Sequence, residues 1–390
     1  MPIINRLADR HDAITAWRRE YHQHPELLFE VHKTAASVAE KLREFGCDEV
    51  VEGLGRTGVV GVIKGGEPGD RVIGLRADLD ALPLPEITGL PHASTVPGVM
   101  HACGHDGHTA MLLGAAEHLC ETRNFAGTAV VIFQPAEEGG GGGKEMCDDG
   151  LMSRFGIQQV YGLHNMPGLP VGDFSTRPGP IMAATDTFEI EITGKGGHAA
   201  MPHNAVDTLV VVAQLITAMQ TVVSRSVDPV QGAVVSVTKV DTDGDAFNVL
   251  PESARLKGTV RTLVPEMRET CEARITELVA TLPTAFGARG QLTYTRGYPM
   301  TVNSASETAF AVSIAEQVSG VGRVDSAQAP VMGGEDFAYM LQERPGAFMF
   351  IGNGDTAALH NPAYDFNDEV IPVGCSYWVT LVETALPKAA

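Results

Sequence analysis

The stretch VIGLRADLD at residues 72–80 combines a β-branched apolar run with two closely spaced aspartates. The run Val72–Leu75 is typical of a buried strand, and similar runs occur at Thr128–Phe133 and Gln159–His164. Helical patterns separate these runs, so we predict an α/β fold with a mostly parallel sheet flanked by helices. Such sheets bind ligands beyond the carboxyl ends of their strands, where the polar residues after each run would lie.

Further segments of the chain fit the same alternation. The predicted elements are helices over 5–22 and 33–45, a strand at Val59–Ile63, a helix from about Thr109 and a terminal helix at Pro372–Leu386.

The pattern changes near Ala184, where the predicted order becomes β-α-β-β-α-β. The strands are Thr187–Thr193, Ala233–Val240, Arg255–Arg261 and Gln291–Arg296, and the helices are Val206–Ser224 and Met267–Phe286. That order suits a compact α+β two-layer module with an antiparallel sheet. We therefore predict one domain from residues 1–183 and 298–390, and an inserted domain over 184–297.

Composition narrows the partners and the compartment. The 390 residues carry 28 Lys and Arg against 48 Asp and Glu, a formal net charge of −20. Phosphate backbones are bound by clustered cations, so a nucleic-acid partner is disfavoured. No apolar run approaches the roughly 20 residues that span a bilayer, and no signal-peptide pattern is visible, so we expect no membrane partner. Six scattered cysteines without a C-x-x-C pair indicate a reduced, cytoplasmic protein.

Two glycine-rich stretches resemble nucleotide-binding motifs but lack the required context. Gly53–Gly58 fits G-x-G-x-x-G, yet the residues after it are strand-like, whereas a dinucleotide fingerprint needs a helix there. The run GGGGGK at 139–144 is one residue short of a phosphate loop, and Glu145 stands where Ser or Thr would bind metal. We interpret this run as a flexible turn beside a crowded site. A nucleotide-dependent oxidoreductase is therefore disfavoured.

Five groups of metal-type ligands carry the chemistry. They are Arg76–Asp80, HACGHDGH at 101–108, QPAEEG at 134–139, Gly162–Asn165 and His360–Pro362. Each alone is weak, because a single histidine is more often structural and a Glu-Glu pair is usually solvated. Three groups follow apolar strands, however, and in a parallel sheet those strand ends share one edge. HACGHDGH is the most specific group, with polar residues that we expect in a glycine-loosened loop before a helix.

Imidazole, thiolate and carboxylate together suit Zn²⁺, Mn²⁺, Co²⁺ or Ni²⁺. Two such cations about 3.5–4 Å apart can deprotonate a water and polarise a carbonyl, and an amide is a poor electrophile that needs both effects. A neighbouring carboxylate can carry the water's proton to the leaving amine. At a turn, adjacent Glu137 and Glu138 can divide the roles of base and ligand. The sequence therefore predicts a metal centre whose chemistry could support hydrolysis of an amide.

Several motifs, in the right order from about residue 18 to 370, resemble the M20 metallopeptidases. The most similar subgroup contains hippurate hydrolase, indole-acetyl-amino-acid hydrolases and bacterial aminoacylase-type amidohydrolases. The motifs are HPELLFE (24–30), RADLDALP (76–83), HACGHDGH (101–108), QPAEEG (134–139), LHN (163–165), GGHAAMPH (196–203), GGEDF (333–337) and LHNPAYDF (359–366).

The resemblance implies two divalent metal ions bridged by Cys103. It implies His105 and His164 as the remaining ligands of one cation. Glu138 and His360 would complete the other site.

The resemblance also implies that Glu137 is the general base and acid, and that Asp78 orients a ligand from outside the coordination shell. His108 would likewise orient or pack around the ligands. The wider family often has a histidine at the place of Arg76 and a bridging aspartate at that of Cys103. This departure matches the subgroup, and it leaves the metal's identity open because a thiolate is softer and oxidisable.

The inserted domain resembles the family's lid and dimerisation domain. His198 would donate to the substrate carbonyl oxygen, often from the partner subunit. Asn248 resembles a substrate-binding asparagine. Arg261 would meet a substrate carboxylate, although a structural strand arginine fits that position equally well.

The leading hypothesis is a homodimeric or larger enzyme that hydrolyses N-acyl amino acids, either hippurate-like or N-acetylated. Within the same class remain a carboxypeptidase or dipeptidase acting on short peptides and an N-acetyl-diaminopimelate deacetylase. A non-catalytic metal-binding scaffold is disfavoured, because Glu137 and all five ligand positions are present.

Overall fold

The computed structural model describes residues 3–389. The α-helices in that range are α1 (Asn5–Asp9), α2 (His11–Gln23), α3 (His32–Phe45), α4 (His105–Thr122), α5 (Gly142–Asp148), α6 (Leu151–Arg154), α7 (Thr208–Thr221), α8 (Pro265–Ala285), α9 (Ala305–Ser319), α10 (Phe337–Glu343) and α11 (Ile371–Ala385). The strands are β1 (Glu49–Leu54), β2 (Gly58–Lys64), β3 (Glu67–Asp78), β4 (Ala126–Gln134), β5 (Gln159–Pro167), β6 (Phe174–Ser175), β7 (Gly179–Met182), β8 (Ala184–Thr193), β9 (Gly197–His198), β10 (Ala233–Thr242), β11 (Val249–Leu250), β12 (Ser253–Thr262), β13 (Arg289–Arg296), β14 (Thr301–Asn303), β15 (Val324–Asp325) and β16 (Gly346–Gly354).

The chain divides into two compact units. The larger holds the described residues up to Ile181, Thr301–Ala329 and those from Asp336 onward. Its main sheet has the strand order β1-β2-β4-β3-β5-β16-β6-β15. The central run β4-β3-β5-β16 is parallel, whereas β1 and β2 form an antiparallel edge and β6 pairs antiparallel with β16. The prediction of a mostly parallel α/β sheet is confirmed.

The central strands of the larger sheet have continuous apolar sequences because both faces of the sheet are buried. Residues 129–134 of β4 are all buried, and so is nearly all of α4. Helices packed on both sides of a parallel sheet remove the polar face that an alternating strand would need. Several polar side chains at the carboxyl ends, among them Asp78 and Gln134, are therefore buried.

The first turn of α4 corrects one prediction. The helix begins at His105, not near Thr109, so the second half of HACGHDGH is helical and not a loop. His, Asp and Gly are poor helix formers, which hid this turn. Gly104, just before the helix, has a φ of 89° and would place an added Cβ 2.3 Å from the side chain of Asn165. Close packing thus requires the glycine.

The glycine run differs from our interpretation as well. Gly142 and Gly143 begin α5, so the run is a helix start and not merely a flexible turn. A Cβ on Gly142 would lie 1.8 Å from the carbonyl oxygen of Pro135, so the close approach of the two segments requires glycine. The N-terminal helix predicted over 5–22 is interrupted at Arg10, which separates α1 from α2.

The strand predicted after Gly53–Gly58 is present. β1 and β2 form an antiparallel hairpin, and the glycine motif occupies its connection. The motif therefore leads directly into β2, which starts at Gly58, and not into a helix N-terminus that could receive a pyrophosphate.

The smaller unit comprises Met182–Met300 and Pro330–Glu335. Its antiparallel sheet has the order β10-β12-β8-β13, and α7 and α8 pack against one face over a separate apolar core. The sequence pattern predicts boundaries of 184–297. The unit also takes Pro330–Glu335, because Ala183 N–H donates to the carbonyl oxygens of Val331 (3.2 Å) and Gly333 (2.9 Å).

One helical stretch in this unit, Thr208–Ser226, is long and apolar enough to cross a membrane on length and composition. A single such helix is weak evidence, because core helices of soluble proteins pass the same test.

Candidate metal centre

Three neighbouring parallel strands bring the predicted ligand groups to one edge of the larger sheet. Asp78 ends β3 and is paired in register with Gln134 at the end of β4. His164 lies in the second half of β5, on the other side of β3. Groups separated by up to about 90 residues in the sequence therefore converge, as expected for a parallel sheet.

Two histidines present the same ring nitrogen to the site. His105 Nδ1 lies 2.7 Å from the carbonyl oxygen of Asp80, and His164 Nδ1 lies 2.7 Å from that of Asn165. A carbonyl oxygen only accepts, so each Nδ1 carries a proton, and in the neutral ring each Nε2 keeps its lone pair. His105 Nε2 is buried and has no hydrogen-bond partner among residues 3–389. These are the tautomers that a metal-binding histidine requires.

Cys103 lies against ligands of both predicted sites. Its Sγ is 3.5 Å from His164 Nε2. The ligand atoms that lie within 4.8 Å of one another include the sets Cys103, Glu138, His360 and His105, Glu137, Glu138. Glu138 Oε1 is buried, and its ion-pair contact in the described part of the chain is His360 Nε2 at 3.3 Å. The unpartnered His105 Nε2 and the clustered thiol, imidazole and carboxylate groups fit two divalent metal ions, which these residues would hold.

The fifth predicted ligand, His360, is brought in by a backbone contact. Its N–H donates to the carbonyl oxygen of Ala102 at 2.8 Å, directly beside Cys103. Its Nε2 is 3.3 Å from Glu138 Oε1. His360 has a φ of 60°, in the left-handed region that non-glycine residues rarely adopt, and such strain persists where the surroundings hold it.

Protonation in the site reflects burial and crowded negative charge. Burial and the nearby carboxylates raise the pKa of the Cys103 thiol well above its usual value. Burial lowers the pKa of His164. Burial acts in the same direction on His105, but the charge of Asp78 and its neighbouring carboxylates outweighs it and raises the pKa to about 10. Divalent cations would reverse this balance and favour the thiolate and neutral imidazoles.

Asp80 fixes the turn that carries both glutamates, a role that we did not predict. Its Oδ1 accepts from the N–H of Glu137 at 2.9 Å, and its Oδ2 accepts from that of Glu138 at 3.1 Å. Ala136, just before them, has a φ of 54°, so the strand ends in a tight left-handed turn. The one signal in the sequence was the position of Asp80, two residues after Asp78 at a strand end.

His108 is buried in the same place, but both of its ring nitrogens are engaged. Nδ1 lies 2.6 Å from Asp78 Oδ1, and Nε2 accepts from the backbone N–H of Asn165 at 2.9 Å. The Asn165 side chain donates to the carbonyl oxygen of Cys103 at 2.6 Å and accepts from the Tyr364 hydroxyl at 2.6 Å. Asp78 is thereby connected through His108 and Asn165 to the loop of Cys103.

Arg76 lies in a buried polar network next to Asp78. Its Nη1 is 2.8 Å from Asp78 Oδ2, its Nη2 is 3.1 Å from Asp336 Oδ1, and its Nε donates to Gln134 Oε1 at 2.9 Å. Asp336 Oδ2 also accepts from Gly143 N–H at 2.8 Å. A buried guanidinium needs such partners, and these tie the aspartate of the GGEDF motif and the glycine run to the strand ends.

A second buried cluster, which no motif predicted, holds the first turn of α4. Arg18 Nε lies 2.9 Å from Asp106 Oδ2, and His22 Nδ1 lies 2.8 Å from the same oxygen. Burial disfavours protonated His22, but the Asp106 carboxylate outweighs it and raises the pKa to about 9. The cluster anchors the residue that directly follows His105.

The smaller unit contains the three predicted substrate contacts. His198 pairs with Val249 across β9 and β11, and the carbonyl oxygen of neighbouring Asn248 accepts from Ala199 N–H at 3.0 Å. His198 and Asn248 are therefore adjacent, and both are exposed. Arg261 lies apart from them, half-buried on β12, where burial lowers its pKa.

Comparison with known proteins agrees with this site. Residues 74–384 match the profile of "Peptidase family M20/M25/M40", which covers most of the chain. This chain belongs to that family. It is a metal-dependent hydrolase of the amidohydrolase and peptidase type.

Curated relatives match nearly end to end. A hippurate hydrolase from Campylobacter jejuni is 41% identical over 381 residues, covering 98% of both chains. An N-acetylcysteine deacetylase from Bacillus subtilis is 38% identical, covering 97% of this chain and 99% of the relative. Thermostable carboxypeptidase 1 from Saccharolobus solfataricus is 38% identical, covering 96% of both. Hydrolases of small acyl amino acids and of peptides thus share this architecture.

A solved structure supports the two-metal centre. The YxeP protein of Bacillus subtilis, described as a dinuclear metal-binding peptidase of the M20 family, has a TM-score of 0.83 and 34% identity to this chain. The match covers 98% of this chain and 100% of that protein.

Proposed function

We propose that this protein hydrolyses the amide bond of N-acyl amino acids, with Glu137 as general base and acid. The observation that carries the proposal is the turn held by Asp80. That turn sets Glu137 beside Glu138, whose carboxylate is a ligand in the proposed site. One carboxylate then coordinates while its neighbour handles the proton.

The chemistry depends on these positions. When bound, two divalent cations would lower the pKa of a water molecule and polarise the substrate carbonyl. Glu137 would accept the proton of the attacking water and deliver it to the amine nitrogen, because an amine leaves readily only after protonation. Its side chain is buried, and burial limits competition from bulk water for that proton.

His198 is the proposed donor to the carbonyl oxygen. Its Nδ1 accepts from Ala200 N–H at 3.1 Å, so in the neutral ring the proton resides on Nε2. An Nε2–H group is the donor that an oxyanion needs. Asn248, next to it, is proposed to bind the substrate, and Arg261 is proposed to bind the substrate carboxylate.

The relatives support the substrate class. The hippurate hydrolase and the N-acetylcysteine deacetylase are named for acyl groups of very different size, a benzoyl and an acetyl group. We therefore expect the shared N-acyl amino acid portion to be recognised. A carboxypeptidase activity on short peptides is the second candidate, supported by the Saccharolobus relative.

We further propose that the enzyme is a cytoplasmic homodimer or higher homo-oligomer, and that the inserted domain serves as its lid and dimerisation surface. Exposed apolar side chains on that unit, among them Leu209, Val210 and Phe247, support a contact surface. Six free thiols are consistent with a reducing compartment.

The test is hydrolysis of a substrate panel by the metal-loaded protein, supplied with Mn²⁺ or Zn²⁺. The panel holds hippurate, N-acetyl amino acids, N-acetyl-diaminopimelate and short peptides, and free amino acid is measured. Glu137→Gln is expected to lower kcat by about 10² or more at unchanged metal content. Glu145→Gln is the matched control. Glu137 and Glu145 lie on either side of the glycine run at 139–143, but Glu145 forms an ion pair with Arg56 outside the metal centre.

Each outcome has a distinct meaning. Cleavage confined to peptides would favour the carboxypeptidase. Two bound metals without any cleavage would favour a scaffold. Equal activity of wild type and Glu137→Gln would refute the role of Glu137.

A further inference from the structure

Two cysteines outside the metal centre face each other at the ends of neighbouring helices. Cys47 follows Gly46, which ends α3, and Cys120 lies in the last turn of α4. Their Sγ atoms are 3.6 Å apart, and both are free thiols. A disulfide bond is about 2.05 Å long, so the sulfur atoms would need to approach by roughly 1.5 Å.

Arg123 holds this pair in position. Its guanidinium donates to the carbonyl oxygen of Gly46 at 2.8 Å and to Asp48 Oδ2 at 2.7 Å, the residues on either side of Cys47. Arg123 itself follows Cys120 by three residues. One side chain thus fixes the segment of Cys47 against the helix end that carries Cys120.

The two thiols differ in access and in acidity. Cys47 is partly exposed, whereas Cys120 is only 7% exposed. The hydrogen bond with Cys120 and burial raise the pKa of the Cys47 thiol. The hydrogen bond from Cys47 and the charge of Arg123 lower the pKa of the Cys120 thiol, although burial opposes them. Cys120 is therefore the more acidic thiol and can take the proton of Cys47. Because Cys47 is the more exposed of the two, a reagent in solution meets Cys47 first, and Cys120 is the resolving residue.

We propose that Cys47 and Cys120 form a reversible disulfide when the protein meets a low-molecular-weight disulfide such as oxidised glutathione. The Cys47 sulfur passes its proton to the Cys120 thiolate and attacks one glutathione sulfur, the glutathione S–S bond breaks, and one glutathione leaves and takes a proton from solvent. The Cys120 thiol then loses its proton, attacks the Cys47 sulfur and expels the second glutathione as a thiol. The protein loses two hydrogens, and two reduced glutathione molecules carry them.

The cross-link is expected to stabilise the fold without changing catalysis. Helical rise of about 1.5 Å per residue places Cys120 roughly 22 Å along α4 from His105. Closing the loop between Cys47 and Cys120 restricts the unfolded chain, which raises the melting temperature. The formation of this disulfide does not depend on the proposed substrate.

The experiment treats the full-length, metal-loaded protein with oxidised glutathione. Its free thiols are then counted by maleimide labelling under denaturing conditions and intact mass. The wild type, with six cysteines, is expected to fall to four labelled thiols and to melt at a higher temperature. Cys47→Ser is expected to keep five thiols, whereas Cys120→Ser should keep four and carry one glutathione as a mixed disulfide on Cys47. Both variants should keep an unchanged melting temperature. Cys147→Ser is the matched control, and its number of labelled thiols should still fall by two.

The proposal is overturned if the wild type retains six labelled thiols, or if Cys47→Ser and Cys47→Ala still lose a pair. Arg123→Gln adds a kinetic check, since it should slow disulfide formation while both thiols remain. Loss of activity that persists in Cys47→Ser would place the oxidation at Cys103 and contradict the assignment.

Discussion

His108 Nδ1 donates to Asp78 Oδ1 at 2.6 Å, and this bond distinguishes His108 from the proposed metal-binding histidines. The other ring nitrogen of His108 accepts from Asn165 N–H at 2.9 Å. His105, three residues earlier, instead gives its Nδ1–H to a carbonyl oxygen and keeps Nε2 available. We therefore expect His105 to be a metal ligand and His108 to be a positioning residue, although both lie in the same two helical turns.

The first prediction rests on this difference. His108→Gln is expected to retain two bound metal ions but with affinity lowered about 10- to 100-fold, because His108 acts by orienting its neighbours. His105→Gln is expected to retain only one bound metal ion, because the substitution removes a proposed ligand. Metal analysis after dialysis and titration calorimetry measure both quantities.

His118→Gln is the matched control, since His118 lies on the same helix and is not part of the centre. Loss of one metal ion in His108→Gln would contradict the assignment and would make His108 a ligand.

The second prediction concerns Asp80. Asp80→Asn keeps the size of the side chain, but an amide has one acceptor oxygen where the carboxylate uses two. The turn of Glu137 and Glu138 should loosen, and we expect kcat to fall by about 10² while KM changes little. Steady-state kinetics on the preferred substrate measures the effect.

Asp149→Asn is the control for this change, because Asp149 Oδ2 also accepts a backbone N–H, that of Gly55 at 2.8 Å, away from the centre. A kcat equal to that of wild type in Asp80→Asn would show that the turn holds without the carboxylate.

Strand ends were readable from the sequence because buried parallel strands have an unmistakable apolar pattern. The proposed ligands Glu138 and His164, and Asp78 beside them, could be grouped on that basis alone. The helix start at His105 could not, since its residues have low helix propensity and are held by tertiary contacts such as Asp106 with Arg18.

The hydrogen-bond partners of Asp80 and His108 could not be predicted for a related reason. Each depends on which atom a side chain meets, and residue spacing does not contain that information. The contact of Asp80 with the turn of Glu137 spans residues from different strands. A motif names the candidate residues, but their hydrogen-bond partners follow only from the folded structure.

The third prediction is a pH dependence of stability. The folded-state pKa of His22 is raised from 6.5 to about 9, so folded protein binds its proton more tightly than unfolded protein. The stabilisation is complete below about pH 6.5 and is lost as pH rises through about 9. It amounts to at most about 3 kcal/mol. Urea unfolding of wild type and His22→Gln at saturating metal, over this range, measures it.

For His22→Gln the difference in unfolding free energy from wild type should shrink toward high pH. A difference that stays constant across the range would mean that packing, and not the charge of His22 beside Asp106, accounts for the effect.

The fourth prediction concerns the proposed bridge. Cys103→Ser replaces a thiolate with a hydroxyl that stays protonated near neutral pH, so both cations lose a shared anionic ligand. We expect fewer than two metal ions after dialysis and a fall in kcat/KM of at least about 10², with Zn²⁺ retained less well than Mn²⁺ because the softer ligand is gone.

The control is Cys147→Ser, at an equally buried cysteine outside the centre, which should retain wild-type metal content. If Cys103→Ser bound two ions with wild-type affinity, the thiolate would not be the bridge, and Glu138 would be the next candidate because its carboxylate belongs to both sets of ligand atoms.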